Sequence, residues 1–224
     1  MHEHEWNNAF SYSGGQCFEV FCLCGKRRMA KSKDSEYPVE FAIKESICSR
    51  LLALLASKGV RLDFCPVEMG RVVGIPWAVG LMSLLGQHSR VSRSAYSPDW
   101  KWPDWLFDFD RWIARLDGDG DSNLILFLGG CEVFPIDWGM TFSWASPYYE
   151  GPYSMVKHLT NLNMTVHPEV QRARNPKTAE IIGQLSDEQI RLAVFGGNDT
   201  EKQVRIKELS TAYWTGLCLR KRLL

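Results

Sequence analysis

Hydrophobic and polar positions alternate early in the chain in the manner of β-strands. Cys17 to Leu23 follows the period of two that is typical of a half-buried strand. Cys24-Gly25-Lys26 is a tight turn, and Arg27 to Lys31 is the predicted returning strand. Because Ser13-Gly14-Gly15-Gln16 is also a turn, residues 11–31 are predicted to form a β-hairpin region.

The apolar spacing then changes to that of a helix. Ile47, Leu51, Leu54 and Leu55 form an i, i+4, i+7, i+8 stripe, which predicts a helix over Glu45 to Ser57. Residues 32–39 are predicted to be a loop before it, and Lys58-Gly59 is a plausible stop after it. Three strands are expected next, with the first two paired and the third leading to the second half: Phe64 to Glu68, Arg71 to Ile75, and a strand within Trp77 to Leu85.

The second half is predicted to be mostly helical with a small two-stranded insert. Residues 86–104 are expected to form a loop, and Asp104 to Leu116 an aromatic helix. Leu124 to Leu128 and Glu132 to Asp137 are the predicted strands. From Ser154 the chain is expected to form several helices, with an N-cap at Ser186. This order of elements predicts the α+β fold class.

Composition places this chain among folded, cytoplasmic proteins. The 224 residues fit one domain, and 45% hydrophobic residues suffice for a sizeable core. Because 26 basic residues balance 26 acidic ones, nucleic acid is an improbable partner. No apolar run approaches the roughly 20 residues that span a bilayer, so a membrane association is not expected. The seven cysteines suggest free thiols rather than disulfides or a zinc site.

Candidate chemistry lies in the acidic loop and the hairpin that follows it. The loop reads Asp117-Gly118-Asp119-Gly120-Asp121-Ser122-Asn123, and the hairpin ends in Ile136-Asp137-Trp138-Gly139. A hairpin of this length brings Asn123 and Asp137 to one end of a small sheet. Their hard oxygen atoms suit Mg²⁺, which shields the charge of a nucleoside triphosphate. An aspartate in the loop can orient a hydroxyl nucleophile.

The same loop admits a calcium-binding interpretation. Asp117, Asp119 and Asp121 have the one, three, five spacing of a calcium loop. Ser122 stands where that loop requires glycine, Leu128 stands where it requires glutamate, and a strand rather than a helix is predicted to follow. A solvated acidic turn is the third interpretation.

These residues resemble a known family. The segments from Phe107 to Asn123 and from Ile136 to Gly139 resemble the HipA-like kinases and, more distantly, the phosphoinositide-kinase-like fold. The resemblance spans roughly residues 10–145. It implies one domain over 1–224 with a bilobal protein-kinase-like fold, in which 1–85 is the N-lobe and 86–224 the C-lobe. It also implies ATP and Mg²⁺ as cofactors and a Ser, Thr or Tyr hydroxyl of a protein as the phosphate acceptor.

The resemblance assigns roles to individual residues. Gly14 and Gly15 would cover the nucleotide, Lys31 would contact its phosphates, and Glu45 would pair with Lys31. The remaining roles fall on the second half, with Asp117 or Asp119 near the nucleophile and Asn123 with Asp137 on Mg²⁺.

A second lysine competes for the phosphate role. Phe41-Ala42-Ile43-Lys44 looks like the Val-Ala-Ile-Lys segment of ordinary protein kinases. Lys44 immediately precedes the predicted helix, which leaves no room for a connection from a strand. We therefore prefer Lys31.

The catalytic loop departs from the family pattern. The family has Asp-Arg-His where this chain has Asp117-Gly118-Asp119, and it has Asn where this chain has Arg115. Asn123 also lies one residue further along. These differences motivate an alternative, in which a catalytically impaired kinase-like module binds a nucleotide or a protein partner.

Aromatic residues are dense just before this loop. Trp105, Phe109 and Trp112 have helical spacing and are predicted to form core, whereas Trp100 and Trp102 lie outside that stripe and are candidates for a partner surface.

Overall fold

An antiparallel sheet forms the amino-terminal half of the computed structural model. The structure describes residues 5–11, 17–31, 38–75, 79–91, 97–116, 123–139, 141–145, 167–196 and 204–224. Within them, five strands pair in the order β1-β2-β3-β5-β4. Their bounds are Trp6–Ser11 (β1), Cys17–Cys22 (β2), Arg27–Lys31 (β3), Val67–Gly70 (β4) and Val79–Met82 (β5).

The predicted hairpin is present as β2 and β3. Phe18 pairs with Ala30 and Cys17 pairs with Lys31, so that β3 ends at Lys31 in the middle of the sheet. On its other side, Lys31 pairs with Gly80 of β5. Strand β1, which pairs with β2, was not predicted. Its sequence lacks clean alternation, and its register shifts between Asn8 and Phe10.

Helix α1 extends over Pro38–Ser57 and begins seven residues earlier than predicted. The prediction that Lys44 precedes the helix is therefore wrong, because Lys44 and Glu45 both lie inside it. Proline is favoured in the first helical turn, which explains a start at Pro38 that the apolar stripe does not reveal. The predicted stop is confirmed, since Gly59 has a left-handed φ of 90° and the Val60 N–H donates to the Leu55 carbonyl.

The predicted pairing of the next two strands is wrong. Strand β4 pairs with β5, with Val67 opposite Met82 and Gly70 opposite Val79. The segment predicted as the second strand contributes only a single bridge from Val72 to Trp6. Strand β5 is the better partner because it is wholly apolar and all four of its residues are buried. This is the pattern expected of a strand that lies between two others, here β3 and β4.

A second, three-stranded sheet carries the other half of the candidate site. It consists of β6 (His88–Arg90), β7 (Leu124–Phe127) and β8 (Val133–Pro135) in that order. The β7–β8 hairpin is confirmed, with Leu124 opposite Pro135. Strand β6 falls within residues 86–104, which were predicted to be loop. Its three residues are too few to show a period.

Helices make up most of the remaining structure. They are α2 (Leu106–Ile113), a 3₁₀ turn (Ser143–Ala145), α3 (Pro168–Arg172), α4 (Pro176–Gln184), α5 (Asp187–Phe195) and α6 (Val204–Arg220). The predicted N-cap is confirmed, because Ser186 and Gln189 form a reciprocal capping box at the start of α5. Among the described helices, none combines the length and the apolar character needed to cross a bilayer.

The main core joins α1 to the helical half. Leu51 and Leu55 of α1 are fully buried in one cluster with Phe109 and Trp112 of α2 and Tyr213 of α6. The predicted burial of the aromatic face of α2 is confirmed. Helix α1 also contacts β4, β5 and α5. It is therefore the element that both halves share.

Two helical glycines should respond to alanine with opposite signs. A Cβ at Gly216 of α6 would lie 2.2 Å from Trp144, whereas one at Gly183 of α4 would meet only the Lys221 carbonyl oxygen at 3.9 Å. Gly183→Ala should stabilise the fold by about 0.5–1 kcal/mol through helix propensity. Gly216→Ala should destabilise it by about 1–3 kcal/mol through overpacking. Urea unfolding of both variants measures these changes. A Gly216→Ala variant as stable as Gly183→Ala would contradict the close packing of Gly216 against Trp144.

Candidate functional site

Three charged side chains from three distant elements meet between the two sheets. Lys31 at the end of β3 places its Nζ 2.6 Å from Oε1 of Glu45 on α1. The same Nζ lies 2.7 Å from Oδ1 of Asp137, two residues beyond β8. We call Lys31, Glu45 and Asp137 the charge triad. It brings together three of the residues that the sequence nominated.

The charge triad is largely shielded from water. The exposed fractions of the side chains are 14% for Lys31, 4% for Glu45 and 27% for Asp137. Burial by itself would lower the pKa of Lys31, but the nearby carboxylates, first Glu45 and then Asp137, outweigh it and raise that pKa above its usual range. Lys31 is therefore a fixed cation at neutral pH. Asp137, the most exposed member, is the one that a ligand can reach.

Glu45 experiences the opposite balance. Burial raises the pKa of Glu45, and the charge of Lys31 opposes that rise. Without Lys31, the carboxyl group would lose its compensating cation and its pKa would rise further. Lys31 and Glu45 consequently depend on each other, which is the expected behaviour of a buried ion pair.

The backbone at Asp137 is unusual. Asp137 has a φ of 62°, in the left-handed region that few residues other than glycine adopt. Its Oδ1 accepts a hydrogen bond of 3.3 Å from the Gly139 N–H. A glycine two residues after the aspartate would be the obvious source of such a turn, but the left-handed conformation lies at Asp137. Gly139 is needed instead for space, because a Cβ there would lie 2.7 Å from Cδ1 of Phe41 on α1.

Asn123 lies beside the segment that carries Asp137. It is almost fully buried, immediately before β7, and its carbonyl oxygen accepts a hydrogen bond of 2.9 Å from the Ile136 N–H. The hairpin thus brings Asn123 to the same end of the small sheet as Asp137. Carboxylate and amide oxygens are the donors that Mg²⁺ prefers, so this set fits a magnesium ion. The metal-binding role itself stays a prediction.

Arg115 is a contact of Asp137 that sequence reasoning missed. Its fully buried guanidinium donates from Nη2 to the carbonyl oxygens of Ile136 at 2.5 Å and Asp137 at 2.8 Å. Hydrogen bonds from a charged donor contribute about 1.5–3 kcal/mol each, enough to offset the roughly 1–2 kcal/mol that a left-handed residue costs. Nothing in the local sequence distinguishes this arginine from a surface one. It was noted only as a departure from the family pattern.

Lys44 lies in a different environment from Lys31. Its Nζ is 2.8 Å from Oε1 of Glu40, one helical turn earlier. Glu40 also accepts a hydrogen bond of 3.3 Å from the hydroxyl of Tyr213 on α6. Lys44 therefore pairs within α1, and Glu40 connects the helix to the carboxyl-terminal helix. Of the two lysines, Lys31 is the one that contacts both Glu45 and Asp137.

Several predicted residues lie outside the described part of the chain. These are Gly14, Gly15, Asp117 and Asp119, whose roles stay predictions. The interpretation of the acidic loop as a calcium loop that leads into a helix is wrong, because the chain continues from Asn123 directly into strand β7.

The partner surface proposed around Trp100 and Trp102 is largely accounted for by internal contacts. The two rings lie 6.1 Å apart, and Trp102 stacks on His167 at 4.6 Å. Both tryptophans pack against the main core while remaining partly exposed. These rings are therefore part of the fold, and their contact with a partner stays a prediction.

The interdependence of Lys31 and Glu45 can be measured by a double-mutant cycle. Lys31→Met and Glu45→Gln should show a coupling free energy of about 1–3 kcal/mol in urea unfolding. Lys31→Met leaves the Glu45 carboxylate buried without its cation, and Glu45→Gln leaves Lys31 with only the Asp137 carboxylate. The matched control is the pair Lys101 and Glu132, whose Nζ–Oε1 distance is 3.7 Å and whose side chains are 70% and 65% exposed. Its coupling should stay within about 0.5 kcal/mol. Equal coupling free energies in the two pairs would contradict the mutual dependence of Lys31 and Glu45.

The cost of Lys31→Met should also grow with pH. The pKa of Glu45 in the folded state lies above its ordinary value of 4.5. The stability that the protonated carboxyl group contributes is therefore fully present below pH 4.5, and it is lost as the pH rises through the folded-state pKa. Removing Lys31 raises that pKa further and enlarges the loss. Unfolding at about pH 5 and about pH 8 should show the larger destabilisation at about pH 8. A cost that is independent of pH would contradict this assignment.

Comparisons with known proteins identify the fold. No family model and no curated protein matches the sequence. The structure is similar to the crystal structure of the Helicobacter pylori proinflammatory kinase CtkA, with a TM-score of 0.58 and 12% sequence identity. The match covers 99% of this chain and 93% of that one. At this identity the likeness concerns the fold: the chain has an α+β fold like that of a kinase, with a curled β-sheet amino-terminal region and a helical carboxyl-terminal part.

Proposed function

We propose that this chain is a HipA-like, ATP-dependent phosphotransferase that requires Mg²⁺ and acts on a Ser, Thr or Tyr hydroxyl of a protein. The observation that carries the proposal is the charge triad, in which Lys31 bridges Glu45 and Asp137 between two sheets. Kinases need this combination, a strand lysine held by a helix glutamate and facing a metal-binding aspartate. The kinase-like fold supports the same conclusion. A cytoplasmic location stays a prediction from the sequence.

Each member of the charge triad has a defined part in this proposal. Glu45 holds Lys31 in place from α1, so that the ammonium group keeps its position when Asp137 is engaged elsewhere. Asp137 and Asn123 would hold the metal, and Lys31 would then face the phosphates. Bound ATP supplies the phosphoryl group, and Mg²⁺ neutralises its charge. Gly14 and Gly15 over the nucleotide, and Asp117 or Asp119 near the acceptor hydroxyl, complete the proposed site.

A second candidate is a module that binds nucleotide without transferring phosphate. Arg115 favours it, because a buried arginine that contacts Asp110 and the backbone at Asp137 stands where the resembled kinases have asparagine. That arginine has no oxygen with which to bind a metal. The charge triad is present with this arginine in place, so nucleotide binding is common to both candidates.

Nucleotide binding should appear as a thermal shift. ATP with Mg²⁺ at a hundred times its dissociation constant should raise Tm by about 5–10 °C, since it stabilises the fold by about 2.7 kcal/mol. Asp137→Asn should remove the Mg²⁺-dependent part of the shift. Asparagine tolerates the left-handed backbone better than alanine, so this variant removes the charge with the least strain.

Two controls make the shift specific. Lys31→Met should reduce it, whereas Lys44→Met should lower Tm without nucleotide and leave the shift intact, because Lys44 pairs with Glu40. Calcium alone should produce no shift. No shift with Mg²⁺ and ATP in the unmodified protein would overturn the nucleotide site, and an unchanged shift in Asp137→Asn would overturn its metal role.

Transfer itself separates the two candidates. Incubation with γ-labelled ATP and cell lysate should label Ser, Thr or Tyr residues of a protein, and Asp137→Asn should abolish the labelling. Stoichiometric binding of ATP with no labelled product would favour the non-catalytic module. Full labelling by Asp137→Asn would exclude Asp137 from the reaction.

A further inference from the structure

The backbone carbonyl groups of Ile136 and Asp137 point to one hydrogen-bond donor, the guanidinium of Arg115. In an extended strand, successive carbonyl groups point in opposite directions, whereas a helical conformation of either hand turns them to the same side. The φ of 62° at Asp137 has this effect, and Nη2 of Arg115 accordingly contacts both the Ile136 and the Asp137 oxygen atoms. The left-handed backbone thus presents both oxygen atoms to the same arginine nitrogen.

Arg115 is itself held from the core side. Its Nη1 lies 3.5 Å from Oδ1 of Asp110 on α2, and its guanidinium lies 4.4 Å from the ring centroid of Trp138. Phe109 of α2 packs edge-on against the same Trp138 ring at 5.4 Å. Immediately before Arg115, Ala114 ends α2 in a left-handed conformation, with the Arg115 N–H donating to the Asp110 carbonyl. These contacts turn the arginine beneath the segment that carries Asp137.

We propose that Arg115 is a positioning residue: it fixes the left-handed backbone at Asp137 from the core side, so that the carboxylate faces Lys31 and the metal position. The consequence for metal binding rests on the proposed function above. The positioning of the backbone does not, because it is a property of the protein without ligand.

Arg115→Lys is the direct test, and the chain supplies a matched control. Lysine keeps the charge but lacks the planar fork that can bond to carbonyl groups while lying against a ring. Arg220 is also fully buried, donates to the carbonyl oxygens of Trp112 and Arg111, and lies 5.3 Å from the Trp144 ring centroid. Arg220→Lys therefore perturbs a similar buried arginine away from the charge triad.

The first readout is native-state hydrogen exchange of the peptide over residues 136–142, without nucleotide. Arg115→Lys should accelerate its exchange at least about tenfold relative to the peptide over 204–224, the factor that loss of one hydrogen bond to a charged group implies. Arg220→Lys should not. Should Arg115→Lys fail to fold, Asp110→Asn weakens the same arrangement at nearly constant size and should accelerate the same peptide.

The second readout is the Mg²⁺ concentration that half-saturates nucleotide binding. Arg115→Lys should raise it about tenfold or more, the usual effect of altering a group that orients a metal ligand, with nucleotide affinity in the absence of metal unchanged. Arg220→Lys should leave both values unchanged.

Each of the two readouts tests a different part of the proposal. Exchange that is equal in Arg115→Lys and Arg220→Lys would overturn the positioning role, whatever the protein binds. Faster exchange with an unaltered Mg²⁺ requirement would overturn its link to the metal. If the unmodified protein binds no nucleotide, the proposed function fails, and the exchange readout still decides whether Arg115 positions Asp137.

Discussion

The contact of Lys31 with the buried carboxylate of Glu45 and the partly exposed carboxylate of Asp137 is the constraint on which the rest of this structure depends. A cation in this environment is tolerated only when anions lie against it, and here they come from α1 and from the end of β8. Such a cluster contributes little net stability, because desolvation cancels much of the attraction. Its effect is on geometry. The amino-terminal sheet, α1 and the segment after the small sheet must meet at one point, or Lys31 and Glu45 lose the partners that offset their burial.

Helix α1 meets this constraint because it is fixed on several sides. Leu51 and Leu55 anchor it in the main core, and Phe41 packs so closely against the Asp137 segment that a Cβ at residue 139 would lie 2.7 Å from its ring. From the other side, Glu40 joins the helix to Tyr213 of α6. Tyr213 in turn stacks at 4.7 Å on Phe142, five residues after Asp137. The helix that carries Glu45 and the segment that follows Asp137 thus contact the same residue of the carboxyl-terminal helix.

The sequence predicts those parts of the fold that are encoded by local periodicity. The β2–β3 and β7–β8 hairpins, the aromatic face of α2 and the cap at Ser186 all follow from spacing or from turn residues. Strand β1, the early start of α1 and the pairing of β4 with β5 do not, because each depends on contacts between distant segments. Lys31, Glu45 and Asp137 were nominated because their motifs occur in the same order as in the resembled family. The order of motifs reflects the topology of the fold, and the three residues accordingly come together in the structure. The role of Arg115 could not be found in this way, since its hydrogen bonds beside Asp137 are to backbone oxygens, which have no signature in a sequence.

The placement of Asp137 also separates binding from catalysis in physical terms. The carboxylate is aimed by a guanidinium beneath it and by the glycine N–H beside it, and neither group belongs to the acidic loop. The departures of that loop from the family pattern therefore leave the scaffold around Lys31 and Asp137 intact. An acceptor hydroxyl needs a loop aspartate, whereas a nucleotide needs only the cation and the metal ligands. Under the proposed function, a chain built in this way would still bind nucleotide where its loop has changed. The charge triad therefore bears on nucleotide binding, and the loop bears on whether phosphate is transferred.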